Sequence, residues 1–81
     1  MQWDANGFVV RLRAIHAKRQ IPTDRLARFA GVDRQTLRRH LKGDTKRGPT
    51  LATISAYAKA LDCSASWLAW GEGEMIPKKA A

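Results

Sequence analysis

The stretch GVDRQTLRRHLKGDTKRGPT, residues 31–50, carries six basic residues: Arg34, Arg38, Arg39, Lys42, Lys46 and Arg47. Gln35 sits among them. These residue types define the chemistry on offer. An arginine guanidinium can donate two parallel hydrogen bonds to O6 and N7 of guanine, and a glutamine carboxamide can pair with N6 and N7 of adenine. A lysine ammonium meets phosphate as a point charge. A surface that bound phosphate alone would be served by Lys. Arg and Gln together imply that base edges are read as well as charge neutralised.

The rest of the sequence offers little for covalent chemistry. Cys63 is the single cysteine, which excludes an intramolecular disulfide and a cysteine-based metal cluster. His16 and His40 are too few to complete a metal's ligand set. Ser64 and Ser66 read as helix caps or surface residues, and nothing suggests a nucleophile–base pair or a loop that cradles phosphate. The sequence therefore predicts no enzyme, no metal, no cofactor and no small-molecule ligand.

Charge is segregated along the chain. The net charge is +8 over 81 residues. Between Arg11 and Arg47 stand twelve Lys or Arg and three Asp; the remainder of the chain holds the other three Lys against four carboxylates. Charge dispersed for solubility would not divide this way. A basic half is the electrostatic footprint of a protein that meets a polyanion, most often nucleic acid. An anionic membrane surface would call for an amphipathic helix with exposed Trp, Phe and Leu beside the cations. No apolar run approaches the roughly 20 residues that span a bilayer. The start, MQWDANG, lacks the basic-then-apolar layout of a signal peptide, so a cytoplasmic protein is expected.

Positioning the basic stretch requires helices, and the apolar spacing supplies them. Phe8, Leu12 and Ile15 form one stripe of a first helix from about Asn6, its N-cap, to Arg19. Pro22 opens a second helix with Thr23 and Asp24 in its first turn and Leu26, Phe29 and Ala30 inside; Gly31 ends it. Asp33 caps a third helix, with Leu37 and Leu41 inward and Gly43 at its end. GDTKRGP is a loop by composition. Thr50 caps a fourth helix with Leu51, Ile54, Ala58 and Leu61 on one side. Ser64 caps a short fifth helix carrying Trp67 and Leu68 and stopped by Gly71. No segment alternates as a strand would. The expected fold class is all-α, a compact five-helix domain over residues 1–73, with residues 74–81 a frayed tail or the start of a linker.

On a wheel of about 100° per residue, Leu37 and Leu41 set the inward direction of the third helix. Gln35, Arg39 and Lys42 then point nearly opposite, Arg38 lies on their flank, and Arg34 reaches forward from the first turn. Arg34–Arg38, Arg38–Lys42 and Arg39–Lys42 are like-charge neighbours, each unfavourable by about 0.2–0.5 kcal/mol. That crowding, with no acidic relief inside the helix, makes sense if phosphates supply the counter-charge. His40 reads as a half-buried packing residue, His16 as structural, and Cys63 and Trp67 as core. Trp70 covers the core's edge or lies in a dimer contact. Trp3 is an N-terminal arm contact or lacks structure.

These segments resemble a known family. RLARFAGVDRQTLRRHLKG, followed by GPTLATISAYAKALDCSASWLAWGEG, is similar to the helix-turn-helix domain of phage repressor and Cro proteins, the XRE or lambda-repressor-like family. The likeness runs from about Phe8 to Gly73 and rests on Leu26-Ala27, Ala30-Gly31-Val32, Leu37, Gly43, Pro49, Ala58, Leu61 and Trp67-Leu68 together. It implies a transcriptional regulator in the bacterial cytoplasm, nucleoid-associated when bound: a repressor that meets a palindromic double-stranded DNA operator as a homodimer. Arg34, Gln35 and Arg39 would stand at base-reading positions, with Arg38 between bases and backbone. Thr23, Lys42, Thr45, Lys46 and Arg47 would meet phosphate. The fifth helix would supply the dimer surface, through Ala65, Leu68 and Trp70. Two departures stand out. Pro22 occupies a usual Ser or Thr cap. His16 and Leu41 replace a common Arg and Glu pair, so an apolar or hydrogen-bonded contact is expected there. An alternative of another class is the DNA-binding antitoxin of a toxin–antitoxin pair, although EGEMIPKKAA is short for a toxin-binding tail.

Overall fold

The computed structural model describes residues 5–45 and 49–76. Five helices follow in order: α1 (Ala5–Arg19), α2 (Thr23–Ala30), α3 (Arg34–Lys42), α4 (Leu51–Leu61) and α5 (Ala65–Trp70). Among the described residues there is no strand. The all-α expectation holds and all five expected helices are present, but α1 begins at Ala5, so Asn6, expected as its N-cap, lies inside the helix.

The caps explain the boundaries. Gly31 takes φ 71° after α2, where its N–H bonds the Arg28 carbonyl and the Val32 N–H reaches back to Ala27. This is the left-handed turn that glycine makes without strain. Gly43 ends α3 the same way. Thr50 and Ser64 accept from the backbone N–H of Thr53 and Trp67, each at 3.2 Å, as the sequence predicts. The start of α3 differs. Asp33 stands at the N-cap position, but its side chain makes no capping hydrogen bond. Pro22 likewise caps α2 without a side-chain bond, contributing its carbonyl to the Leu26 N–H.

The core draws on every helix: Phe8, Leu12 and Ile15 from α1, Leu26 and Ala27 from α2, Leu37 from α3, Ile54, Tyr57 and Leu61 from α4, and Leu68 from α5. Two expected core residues lie outside it. Phe29 is 62% exposed and Leu51 is 63% exposed. The buried face of the eight-residue α2 is Leu26 and Ala27, which leaves Phe29 on the flank. Leu51 is the first residue of α4, before the helix has turned onto the core. Cys63 is half-buried against the core, as are Trp67 and Trp70. Burial pushes the Cys63 thiol up to about 11, so it stays protonated near neutrality.

Three arginines of α1 hold the ends of other helices. Arg11 donates from Nε and NH2 to the carbonyls of Leu68 and Ala69, at 3.0 and 3.1 Å, at the end of α5. Arg13 Nε donates to the Leu41 carbonyl in the last turn of α3. Arg19 donates to the carbonyls of Leu61 and Asp62, both at 2.8 Å, at the end of α4. A helix C-terminus offers unpaired carbonyls and the negative end of the helix dipole, so each contact is charge-assisted. His16 Nε2 donates to the Ile21 carbonyl at 2.8 Å across the α1–α2 junction. The hydrogen bond of His16 thus goes to the Ile21 carbonyl and not to Leu41, whose own carbonyl accepts from Arg13.

The segment after α5 folds back. Met75 packs on the core and its carbonyl accepts from the Ser64 N–H at 2.9 Å. The expectation of a frayed end therefore fails at Met75; residues 77–81 lie outside the described residues.

Candidate nucleic-acid interface

α2 and α3 are joined by Gly31-Val32-Asp33, and this turn decides which face of α3 is free. Val32 packs partly on the core, and Leu37 is fully buried. His40, 6% exposed, completes the inner face. Its Nδ1 lies 2.7 Å from the Tyr57 hydroxyl of α4, and its ring meets Phe8 and Tyr57 edge to face. Burial lowers the His40 pKa, partly opposed by the Asp44 carboxylate. Burial also pushes the Tyr57 phenol up to about 12, so it keeps its proton. The inner face is therefore Leu37 and His40, with Leu41 only partly buried. His40 sits deeper than the half-buried place expected from sequence. A wheel centred on two leucines gives no sign that a polar residue at its edge has a buried partner.

The opposite face is basic. Gln35, Arg38, Arg39 and Lys42 are exposed and line one open groove along α3. Arg38, Arg39 and Lys42 form no ion pair with any described residue. The structure thus brings four of the sequence-predicted residues onto one surface.

Arg34 differs. Its NH1 donates to both carboxylate oxygens of Asp24 on α2, at 3.2 and 3.3 Å. Both side chains are more than half exposed. The acidic relief that α3 lacks internally is supplied to its first residue by α2. Sequence reading missed this partner, because the two residues are ten apart on different helices. The signal available was Asp24 in the first turn of α2, beside the short turn that brings in α3.

Thr23 is half-buried at the first position of α2, and Thr45 is half-buried just beyond α3. Lys46 and Arg47 lie outside the described residues. Of the three residues expected at a dimer surface, Ala65 is exposed, Trp70 is half-buried and Leu68 is 0% exposed. Leu68 is therefore corrected to a core residue, since a side chain sealed inside one chain has no area left for another. Among the described residues, no three His, Cys, Asp or Glu side chains cluster to hold a metal ion. No helix there is long and apolar enough to cross a membrane.

The sequence of residues 11–66 matches the Cro/C1-type HTH DNA-binding domain, a span of more than half the chain. The chain belongs to this family. Neither the curated proteins nor the solved structures gave a significant match to it. As a Cro/C1-type domain the protein is a DNA-binding regulator. α2 and α3, joined by the three-residue turn, both lie inside the matched span.

Proposed function

We propose that the protein is a sequence-specific double-stranded DNA-binding repressor of phage or prophage type. The observation that carries this reading is the outer face of α3. There Gln35, Arg38, Arg39 and Lys42 stand exposed on one side of a helix anchored by Leu37 and His40. A helix about 10–12 Å across fits the major groove of B-DNA. In that setting Gln35 and Arg39 read base edges, Arg38 reaches either a base or the backbone, and Arg34 reads a base from the first turn. Thr23, Lys42 and Thr45, with Lys46 and Arg47, take the phosphates that set the register.

The operator is roughly palindromic and is met by a homodimer, with half-sites about one helical turn apart. Ala65 and the half-buried Trp70 of α5 supply the contact between copies; Leu68 supports it from beneath. The test is selection of bound duplexes from random DNA. A recovered consensus with inverted half-sites is expected. Recovery of unrelated sequences at equal affinity would overturn sequence-specific recognition.

A further inference from the structure

Nothing in the sequence pattern marks Asp24 as more than a residue of an acidic first turn. In the structure it meets Arg34 at the start of α3. Arg34 uses a single nitrogen, NH1, for both oxygens of the Asp24 carboxylate. A guanidinium has five N–H donors in a rigid plane. With NH1 held, Nε and the whole of NH2 remain outside this pair, and they form one edge of the fork. That edge has the geometry for two parallel hydrogen bonds to O6 and N7 of guanine.

Asp24 is itself well placed to keep its charge and position. It lies in the first turn of α2, where the positive end of the helix dipole favours a carboxylate. An ion pair this exposed adds little to stability. Its consequence is orientation. An unpaired Arg34 on a flexible stem would turn toward the strongest nearby anions, which on DNA are phosphates. A carboxylate beside it occupies one corner of the guanidinium and repels phosphate from that side.

We propose that Asp24 is a positioning residue for DNA reading: it holds the Arg34 guanidinium by NH1, presents the Nε–NH2 edge to a base, and disfavours non-specific phosphate binding. This rests on the reading of Arg34 as a base-contacting residue. Asp24 thereby lowers affinity for DNA in general and raises discrimination at one position. Specificity obtained through a repulsive element is a general device of recognition.

The experiment measures binding of the full chain to its selected operator, to operators changed one base pair at a time, and to a scrambled duplex. Arg34→Ala first identifies the base pair that Arg34 reads. Asp24→Asn, which keeps shape and removes charge, is expected to bind scrambled DNA several-fold more tightly. At the Arg34 base pair it is expected to lose about three- to tenfold of discrimination and to leave other positions unchanged. Asp24→Glu keeps a carboxylate within reach and should stay closer to the parent than Asp24→Asn. In an Arg34→Ala background, Asp24→Asn should no longer alter discrimination. If Arg34→Ala erases discrimination at one base pair while Asp24→Asn leaves it intact, the Asp24 role is overturned and the Arg34 role stands. If Arg34→Ala changes discrimination nowhere, the base-reading role of Arg34 falls, and the Asp24 role falls with it. Circular dichroism melting of each variant separates either result from loss of fold.

Discussion

Burial favours the neutral His40 imidazole on the inner face of α3. The ordinary histidine value is 6.5, and the folded value lies below it. Between the two, the unfolded chain binds a proton that the folded chain refuses. Stability from this residue is therefore full above the unfolded value and is lost as pH falls through the lower, folded one. The melting temperature should drop as pH falls through and below 6.5, and His40→Gln should flatten that drop. An equal slope in both proteins would contradict the assignment. Tyr57→Phe removes the hydroxyl 2.7 Å from Nδ1 and leaves a buried ring nitrogen without its partner. Urea unfolding should show a loss of about 1–3 kcal/mol. At this scale the sequence disclosed that Gln35, Arg38, Arg39 and Lys42 share the outer face of α3. It did not disclose that Arg34 has a carboxylate partner or that His40 has a phenolic one, because both partners come from other helices.

The elements themselves were legible. Apolar spacing located five helices, and Gly31, Gly43, Thr50 and Ser64 marked ends that the structure keeps. What local periodicity could not carry is which end of which helix meets α1. Arg11, Arg13 and Arg19 read as part of a polyanion footprint, yet each donates to carbonyls 28 to 58 residues away. These contacts tie α1 to the last turns of α3, α4 and α5. Arg19→Ala should therefore lower stability by about 1–2 kcal/mol in urea unfolding, through lost hydrogen bonds to α4. The salt dependence of DNA binding by the same variant should stay that of the parent. A shallower slope at unchanged stability would place Arg19 on phosphate instead. Phe29 and Leu51 make the complementary point. Both match an apolar stripe, and both lie on exposed flanks because a short helix and a first turn have little buried arc.

Across the whole molecule, segregated charge correctly indicated a nucleic-acid partner but overstated the footprint. Of the twelve basic residues from Arg11 to Arg47, Arg11, Arg13 and Arg19 are committed to helix ends and Arg34 to Asp24. They still contribute to the long-range field that steers DNA. The donors of Arg11, Arg13 and Arg19 that hold helix ends, and the one Arg34 nitrogen on Asp24, are already engaged, whereas Arg38, Arg39 and Lys42 form no ion pair with a described residue. Lys42→Ala is expected to weaken binding to operator and random duplex by similar factors. It should also reduce the slope of log affinity against log salt by about one. An unchanged slope would remove Lys42 from the phosphate contacts.

If the outer face of α3 reads sequence, Gln35→Ala and Arg39→Ala should separate operator from random DNA. Each variant is measured at one salt concentration on the selected operator and on a scrambled duplex of equal length. A loss of about 1–3 kcal/mol is expected on the operator and a much smaller loss on the scrambled duplex. Equal losses on the two duplexes would contradict it, because a residue that contacts only the backbone cannot tell them apart.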